Sequence, residues 1–339
     1  MKALIIGGTG TISRAVVRSL IARGAEVTIF NRGSRQVTLP DGIEVIRGDR
    51  LDRGAFEAAF RGREFDVVYD VISFFPDDAR SAIRAFSGNV GHFIHLSTVM
   101  TYGPPFAGDG VGLDEHSPLN GQRDGGYGEG KVAADALILE AAAAGGLPAT
   151  IVKPSMTFGE GRHLLRQVDW WPGWIQRMKA GLPLLSAGDG TNLFQMLPSQ
   201  SMGEALAMLA GRSGSVGEIY NIVNPQALSW DHWMRVIGEV AGVEPELVHV
   251  PTDTLLAADP ERFGRIVTNF AHTQVFSGAK FQALVPEWQP VPVQEGIADA
   301  LEWMDEFLPD ASGDAEWVQE DRLIAAIRDF NSGLSARLG

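Results

Sequence analysis

The stretch Ala3-Leu4-Ile5-Ile6-Gly7-Gly8-Thr9-Gly10-Thr11-Ile12-Ser13 decides the fold. It joins a short apolar run to a glycine-rich turn and then to a segment whose apolar residues have helical spacing: Ile12, Val16, Val17 and Leu20. Gly24 ends that segment, and residues 27–30 form the next apolar run. This order predicts a β–α–β unit with parallel strands.

The same alternation continues through the first hundred residues. Apolar strands at 44–47, 67–72 and 92–96 alternate with helices near 53–60 and 77–86. Several strands are apolar without alternation, which is typical of a parallel sheet covered on both faces. We therefore expect an α/β fold with a doubly wound parallel sheet of the Rossmann type and a smaller C-terminal substrate-binding domain.

The composition changes after a predicted helix at 127–144 and a predicted strand at 148–152. Residues 160–195 contain Trp170, Trp171 and Trp174 with several Gly and Pro, which indicates an inserted cap. We predict a dinucleotide-binding domain at 1–160, with returning segments at about 191–225. The predicted substrate-binding or cap region comprises 161–190 and 226–339.

Composition and charge exclude several classes of protein. The 339 residues include 28 basic and 42 acidic side chains, for a formal net charge of −14. Phosphate neutralisation needs clustered Lys and Arg, so nucleic acid and anionic membranes are not expected partners. The absence of Cys excludes disulfides and cysteine nucleophiles. Without a recognisable signal peptide or long apolar run, the sequence predicts a cytoplasmic protein with no membrane span.

The seven histidines do not indicate a metal site. His92 and His95 are three residues apart on a predicted strand and so point to opposite faces. The remaining histidines show no spacing typical of metal ligands. We expect no metal and interpret these side chains as packed or solvated.

The opening glycines are candidate cofactor-binding residues. Gly7 permits a tight turn, and Gly10 lets the backbone approach a pyrophosphate where Thr11 and Ile12 begin the helix. Ser13 occupies the last position of the G-x-G-x-x-G spacing, so the spacing alone is a weak signal. The strand before it and the helix after it favour a dinucleotide site over an ordinary turn.

The end of the second strand indicates which dinucleotide fits. A carboxylate there would bind the ribose 2′-hydroxyl of NAD, but the chain has Asn31-Arg32-Gly33-Ser34-Arg35. Guanidinium groups pair with phosphate, so Arg32 and Arg35 favour NADP over NAD, unless both are solvated loop residues. Asp49 and Arg50, after the third strand, are further predicted cofactor contacts, with Asp49 placed to accept from the adenine amino group.

Tyr127-Gly128-Glu129-Gly130-Lys131 contains a candidate acid–base pair. The i,i+4 spacing places the phenol and the ammonium on one helix face. A nearby cation favours phenolate and lowers the pKa of a tyrosine, which suits a group that takes a proton from an alcohol and returns it. Lys131 could also hold the nicotinamide ribose. The alternative is an exposed helix pair without chemistry.

The glycine loop, the strand end Ser97-Thr98-Val99-Met100-Thr101-Tyr102-Gly103 and the Tyr-x-x-x-Lys helix resemble, in order and spacing, extended short-chain dehydrogenase/reductases. More narrowly, nearly the whole chain resembles the NAD-dependent epimerase/dehydratase family. The resemblance implies that Tyr127 is the acid/base, that Lys131 is its partner and that Thr98 hydrogen-bonds the reacting oxygen. It also implies that four residues line the cofactor: Val71, Ile72, Ser73 and Pro154.

Departures from the family pattern narrow the function. Val99 and Met100 stand where sugar 4,6-dehydratases have Asp-Glu, so elimination of water is not expected. Met156 replaces an Asn that helps hold a substrate diphosphate in many members, which argues against a nucleotide-diphosphate sugar. Lys153 stands where Arg is usual.

Substrate contacts are predicted for a further set of residues. Trp171 either belongs to the core or stacks on a sugar or base. The full set of candidates is Thr98, Met100, Met156, Arg162, His163, Trp171 and Gln195.

These patterns favour an NAD(P)-dependent epimerase that acts on a sugar or nucleotide-sugar hydroxyl through a transient keto intermediate. The alternative is an NADPH-dependent ketoreductase of a keto-sugar or related carbonyl, with the same residues. A third hypothesis is a non-catalytic dinucleotide- or RNA-binding relative, against which the complete Thr98, Tyr127 and Lys131 set and the acidic charge argue. The resemblance also implies a homodimer formed by the Tyr–Lys helix and the helix at 77–86.

Overall fold

The computed structural model describes residues 1–34, 37–104, 106, 109–121 and 126–338, with the backbone alone for 265–268. Arg35 lies outside the described residues. Two compact units are present. The first unit comprises Met1–Thr157, Gln195–Pro225 and Phe276–Val291, and the second unit comprises Phe158–Phe194, Gln226–Val275 and Pro292–Gly339.

The elements follow one another with the α/β alternation that the sequence predicts. The strands are β1 (Lys2–Ile6), β2 (Glu26–Asn31), β3 (Glu44–Arg47), β4 (Phe65–Asp70), β5 (Val90–Leu96), β6 (Val111–Leu113), β7 (Ala149–Pro154), β8 (Met156–Phe158), β9 (Leu184–Ala187), β10 (Leu193–Phe194), β11 (Met196–Pro198), β12 (Ile219–Ile222), β13 (Leu228–Ser229), β14 (Leu247–Val250) and β15 (Val275–Phe276). The helices are α1 (Thr11–Ala22), α2 (Arg53–Ala59), α3 (Pro76–Phe86), α4 (Tyr127–Ala143), α5 (Trp174–Lys179), α6 (Ser199–Leu209), α7 (Trp230–Ala241), α8 (Thr252–Ala258), α9 (Pro260–Phe270), α10 (Ala279–Leu284), α11 (Val293–Phe307) and α12 (Ala315–Leu338). A 3-10 turn spans Val99–Tyr102.

Within the described residues, seven strands of the first unit form one parallel sheet in the order β12-β7-β5-β4-β1-β2-β3. Apolar clusters cover both faces. Ala3 and Ile5 of β1 belong to the cluster that includes α1 and α6, whereas Leu4 and Ile6 belong to the cluster that includes α3 and α4. Burial on both faces explains the unbroken apolar strands, and the predicted doubly wound α/β fold is confirmed.

The register of the sheet aligns the carboxyl ends of its central strands. Ile6 of β1 is level with Asp70 of β4, Asp70 with His95 of β5, and His95 with Ile151 of β7. The strand order reverses between β1 and β4, because β2 and β3 lie on the far side of β1. Ligands of open α/β sheets bind outside the carboxyl ends of the strands at such a switch point.

The second unit contains two small sheets and most of the C-terminal helices. β9 pairs with β14 in parallel, and β10 pairs with β13 antiparallel. Ser229 caps α7 by accepting the His232 N–H at 3.2 Å, and Gly242 ends that helix with φ +74°.

One segment of the predicted cap region lies in the first unit. The prediction assigned all of 226–339 to the cap, whereas Phe276–Val291 belongs to the first unit. Phe281, Val285 and Trp288 pack into the apolar cluster that covers one face of the parallel sheet. This burial explains why the chain returns to the first unit before α11.

No helix in the described ranges has the length and apolar character needed to cross a membrane.

Candidate active site

The glycine loop after β1 has the backbone geometry that its sequence requires. Gly7 and Gly8 have φ of +127° and +90°, a region that favours glycine. A Cβ on Gly8 would lie 2.8 Å from Cγ2 of Ile29, so the turn packs directly on β2. Ser13 takes the place of a third glycine: its Oγ accepts the Gly10 N–H at 2.9 Å and donates to the Gly10 carbonyl at 3.1 Å.

The loop is open at Gly10, where the pyrophosphate of a dinucleotide is predicted to bind. A Cβ on Gly10 would meet only Ser13 Oγ within 4 Å, at 3.6 Å. A Cβ on Gly7 would face Ile72 at 3.6 Å and Val71 at 3.8 Å, so the loop lies beside the residues that follow β4. The first turn of α1 carries no acidic residue. Its N–H groups and helix dipole therefore favour an anion.

The end of β2 is organised by the side chain of Asn31, which is buried. Its Nδ2 donates to the Gly7 carbonyl at 3.2 Å. Its Oδ1 accepts the Gly33 N–H at 2.9 Å and Arg47 Nη1 at 2.6 Å. The Asn31 side chain therefore connects the glycine loop to the Arg47 guanidinium. It supplies no carboxylate for the ribose of NAD.

Arg47 is a residue that the sequence analysis missed. It ends β3 and is level with Asn31 in the sheet, so the strand register was the signal that could have found it. Arg32 has a side chain that is 63% exposed, with Nη1 4.0 Å from Asp49 Oδ2. The Arg47 guanidinium therefore lies beside Asn31, and the Arg32 guanidinium lies near Asp49, in the region where the 2′-phosphate of NADP is predicted.

The Arg50 side chain does not suit its predicted contact with the cofactor. It is buried, with Nη1 donating to Asp70 Oδ1 at 2.6 Å and Nη2 donating to the Asp78 carbonyl at 2.8 Å. A desolvated arginine requires such partners, so the guanidinium is engaged by groups within the protein here. Asp49 is half-exposed and accepts the Leu51 N–H at 2.9 Å.

Lys131 reaches from α4 into the edge of the parallel sheet. Its Nζ donates to the Ser73 carbonyl at 2.7 Å and the Leu96 carbonyl at 2.6 Å, which follow β4 and end β5. The side chain is buried, and burial lowers the pKa of Lys131 to about 8 although Asp135 and Asp70 act in the opposite direction.

Tyr127 begins α4 and is 39% exposed. Lys131 Nζ lies 6.0 Å from the centroid of the Tyr127 ring and 5.0 Å from that of Phe74. Gly130 allows this arrangement, because a Cβ there would lie 2.6 Å from the Phe74 carbonyl oxygen. The phenol is therefore accessible beside a buried ammonium, and Phe74 is a neighbour that no sequence signal indicated.

Thr98 caps the 3-10 turn that follows β5. Its Oγ1 accepts the Met100 N–H at 3.2 Å. Pro154 ends β7, two strands from β4 in the sheet, and is level with Ile222 of β12.

The Oγ of Ser73 is buried and has no hydrogen-bond partner among the described residues. An unpaired hydroxyl at this edge fits a bound polar ligand.

The structure brings seven of the predicted cofactor and catalytic residues to one edge of the sheet. The residues that follow the carboxyl ends of the central strands, or contact them through side chains, are Gly7, Val71, Ile72, Ser73, Thr98, Lys131 and Pro154. Their roles stay predictions, because the geometry describes their positions and not a reaction.

The predicted substrate residues of the first unit have different environments. Met100 and Met156 are half-buried. Gln195 is buried: its Nε2 donates to the Asn224 and Phe276 carbonyls, and its Oε1 accepts the Phe276 N–H at 2.8 Å. Its amide is committed to the backbone, so Gln195 does not suit the predicted contact with substrate.

Three predicted substrate residues belong to the second unit. Trp171 is 8% exposed, and its Nε1 donates to Asp314 Oδ2 at 3.0 Å. This environment supports the core interpretation of Trp171. His163 lies 6.3 Å from Trp170 between ring centroids, and the Arg162 guanidinium lies 5.0 Å from the centroid of that ring. Burial lowers the pKa of His163.

The described residues hold no cluster of three or more His, Asp or Glu placed to bind a metal ion. His92 and His95 are both buried in β5. His92 hydrogen-bonds Thr150 and the Gly211 N–H.

The fold and the loop geometry define the first unit as an NAD(P)-type Rossmann domain. The model of the NAD dependent epimerase/dehydratase family matches residues 3–90 and 78–223. The chain belongs to this family, as the sequence motifs predicted. Its class is that of NAD(P)-dependent epimerases, dehydratases and oxidoreductases.

Two curated relatives align over most of the chain. The 2'-dehydrokanamycin reductase of Streptomyces kanamyceticus is 24% identical over 304 residues, which cover 90% of this chain and 84% of the relative. Chloroplast stem-loop binding protein of 41 kDa b from Arabidopsis thaliana is 24% identical over 317 residues, which cover 88% of this chain and 78% of the relative.

A solved structure supports the fold. UDP-glucuronic acid 4-epimerase from Bacillus cereus, in complex with UDP-glucuronic acid and NAD, is similar with a TM-score of 0.70 at 16% identity. The alignment covers 90% of this chain and 99% of that chain. At this identity the likeness concerns the fold alone.

Proposed function

We propose that this protein is an NADP(H)-dependent ketoreductase that reduces the carbonyl of a sugar or a related compound. The observation that carries the proposal is the Lys131 ammonium, held by the Ser73 and Leu96 carbonyls beside the exposed phenol of Tyr127. The nicotinamide, when bound, supplies the hydride, and the protein supplies the proton and the orientation.

Each of the three polar side chains has a distinct task. Tyr127 donates its phenolic proton to the carbonyl oxygen as the alcohol forms. Lys131 uses two N–H donors on backbone carbonyls, which leaves the third for the phenolate or the nicotinamide ribose. Thr98 Oγ1 accepts the Met100 N–H, which leaves its own proton to donate to the reacting oxygen.

Two observations favour net reduction. A reductase, 2'-dehydrokanamycin reductase, is similar over 90% of this chain. Asn31 stands where a carboxylate would select NAD, with Arg47 donating to its Oδ1 and the exposed Arg32 next to it in the chain. NADPH, which these arginines favour, is a reductant. Val99 and Met100 carry no group that exchanges protons, which argues against elimination of water.

Epimerisation is the second candidate function, and the family description favours it. The same residues would remove hydride and proton from a sugar hydroxyl and return hydride to the other face of the ketone. The net reaction would then leave the cofactor unchanged.

RNA binding is favoured only by the similarity to a stem-loop binding protein. The net charge of −14 argues against it, since binding to phosphate needs basic clusters.

Turnover with candidate keto-sugars tests the proposal. The protein is incubated with NADPH and each substrate while the absorbance of reduced nicotinamide is followed. Stoichiometric oxidation of NADPH supports the reductase, and product without net oxidation supports the epimerase. In Tyr127→Phe we expect turnover to fall by about 10²–10⁴-fold while dinucleotide affinity is retained. Equal rates in the variant and the wild type would contradict the acid–base role.

We also propose that NADP(H) binds more tightly than NAD(H). Charge-assisted hydrogen bonds from Arg32 and Arg47 to the 2′-phosphate are the physical reason. Replacing both arginines with Met should weaken NADP(H) binding by about 10-fold or more and leave NAD(H) binding nearly unchanged, as measured by fluorescence titration. Tighter binding of NAD(H) to the wild type would overturn this assignment.

We propose a homodimer formed through α3 and α4. These helices pack against one another in the first unit. Several apolar residues of α4 are not fully buried, among them Val132, Ala133, Ala136, Leu137 and Leu139. Light scattering measures the mass in solution, and a mass of 36.5 kDa, that of one chain, would contradict a dimer.

A further inference from the structure

A buried polar cluster lies behind the candidate catalytic pair. Asp135 is one helical turn after Lys131 on α4, and its Oδ2 accepts the Ser97 hydroxyl at 2.7 Å. His95 Nε2 lies 3.3 Å from Asp135 Oδ1, and Lys153 Nζ lies 3.8 Å from Oδ2. The relative exposure of Asp135, Ser97, His95 and Lys153 is at most 3%. One carboxylate therefore faces several basic groups away from water.

The basic groups of this cluster are poorly satisfied. Among the described residues, Lys153 Nζ and both ring nitrogens of His95 have no hydrogen-bond partner. Lys153 Nζ also lies 4.5 Å from the centroid of the Tyr102 ring. Burial of an ammonium costs free energy unless a counter-charge is near. The Asp135 carboxylate is such a counter-charge, so its negative charge contributes beyond the hydrogen bond that it accepts from Ser97.

Ser97 joins this cluster to the candidate catalytic groups. It lies between Leu96, whose carbonyl accepts Lys131 Nζ, and Thr98, whose hydroxyl is assigned to the reacting oxygen. The hydrogen bond from Ser97 to Asp135 therefore ties α4 to the strand end that carries both. A shift of this strand end would move the Lys131 acceptor and the Thr98 hydroxyl together.

We propose that Asp135 is a positioning residue for the catalytic pair: through Ser97 it holds the end of β5 against α4, and through its negative charge it stabilises the ammonium of Lys131. This inference rests on the proposed function. Asp135 touches neither substrate nor cofactor in this scheme and acts only through Lys131 and Ser97.

Burial and several charged groups set the pKa of Lys131, which can therefore report on the charge of Asp135. Burial lowers the pKa of Lys131 to about 8, and Asp135 is the largest opposing influence. Burial also lowers the pKa of Lys153, against the effects of Asp135 and Glu115. The other charged groups that act on Lys131 are Asp70 at the end of β4, Asp78 in α3 and Arg50 after β3.

A matched pair of variants separates the two parts of the proposal. Asp135→Asn removes the charge and keeps an acceptor for Ser97. Ser97→Ala removes the hydrogen bond and keeps the charge. The first readout is the pH at which Lys131 loses its proton, followed by NMR of isotope-labelled lysine side chains. The chain has only five lysines, so Lys→Arg variants of the others assign the signals.

We expect Asp135→Asn to move the Lys131 titration to lower pH by about one unit or more, because an opposite charge near an ammonium favours its charged form. The alkaline limb of the pH–rate profile should move with it. Ser97→Ala should leave the titration in place and lower kcat by about 10-fold, because misplaced reacting groups slow turnover. Asp135→Glu should restore the titration towards that of the wild type.

If Asp135 has only a structural role, the result differs. The Asp135→Asn variant would then have a lower melting temperature and an unchanged pH of Lys131 titration, and this outcome would overturn the proposal. If Asp135→Asn does not fold, Asp135→Glu and Ser97→Ala remain as tests, and an unchanged kcat in Ser97→Ala would overturn the positioning part. Absence of carbonyl reduction by the wild type contradicts the proposed function instead, since the lysine titration does not require turnover.

Discussion

Hydrogen-bond partners separate the candidate residues into those free to meet a ligand and those committed to the fold. Lys131 is buried but uses only backbone carbonyls, and it lies beside an exposed phenol. Arg50, Gln195 and Trp171 are buried and donate hydrogen bonds to groups within the protein. The type of residue made Lys131, Arg50, Gln195 and Trp171 equally good candidates. Only their contacts in the structure distinguish Lys131 from the other three.

His92 is one buried residue with a clear pH signature. Thr150 Oγ1 donates to the Ser215 carbonyl at 2.6 Å, so it accepts from His92 Nε2, and His92 Nδ1 accepts the Gly211 N–H at 3.0 Å. This arrangement requires the neutral imidazole, and burial lowers the pKa of His92 from 6.5 to about 4. The unfolded chain therefore binds a proton at higher pH than the folded one.

We predict that stability from His92 is present above pH 6.5 and is lost as the pH falls towards about 4. The loss should reach about 3 kcal/mol, since one pKa unit corresponds to about 1.4 kcal/mol. Unfolding free energies measured over this range should fall less steeply in His92→Gln. The exposed His232→Gln is the control and should follow the wild type. Parallel curves for His92→Gln and the wild type would contradict the prediction.

At the scale of elements, Gly8 and Gly10 in the loop between β1 and α1 have different structural roles. A Cβ on Gly8 would collide with Ile29 of β2, and its φ of +90° disfavours other residues. Gly10 has φ −89°, and a Cβ there would enter the space above the loop at ordinary contact distance from Ser13. Gly8 is required for packing against β2, and Gly10 leaves open the space that the predicted pyrophosphate site requires.

This difference predicts that alanine at Gly8 lowers stability, whereas alanine at Gly10 weakens dinucleotide binding. Gly8→Ala should lower the unfolding free energy by about 1–3 kcal/mol, because it adds backbone strain and overpacking. Gly10→Ala should keep the melting temperature and weaken dinucleotide binding, because its methyl group occupies the cradle. Thermal unfolding and dinucleotide titration on both variants measure this. A stable Gly10→Ala protein with unchanged affinity would remove the pyrophosphate assignment.

At the scale of the whole chain, a buried ion network holds the C-terminal helix α12 against earlier segments of the second unit. Arg166 is fully buried and donates to both oxygens of Glu320, each at 2.7 Å. Glu320 Oε1 also accepts the Leu185 N–H at 3.0 Å. The pair spans 154 positions of sequence, so it closes the second unit over most of its length.

Glu320→Ala should therefore destabilise the second unit by about 3 kcal/mol, because it removes one of the two buried carboxylates that pair with Arg166 and leaves only Asp169. Asp305→Ala is the matched control: its partner Lys179 is 30% exposed, and the change should cost at most about 1 kcal/mol. Tryptophan fluorescence reports on this unit, since Trp288 is the only one of the eight tryptophans in the first unit. Equal destabilisation by both variants would contradict a special role for the buried pair.

Local patterns were sufficient for the sheet, the glycine loop and the Tyr127–Lys131 helix. Each of these depends on periodicity or spacing within a few residues, which chain propensity and helix geometry determine. Arg47, Phe74 and Asp135 were missed because their importance depends on neighbours far along the chain. No local pattern reports that Arg47 is level with Asn31, or that Asp135 meets Ser97.

The amino-acid sequence by itself determined the doubly wound α/β fold and its family, because alternating apolar periods and the turn glycines allow few other topologies. Only the tertiary structure decided which polar side chains are committed to the protein interior. Gln195, Arg50 and Trp171 are hydrogen-bonded within the protein, and Asp135 lies one helical turn after Lys131. The physical reason is that desolvation and hydrogen bonding act between residues distant in sequence, so their outcome depends on the packed chain.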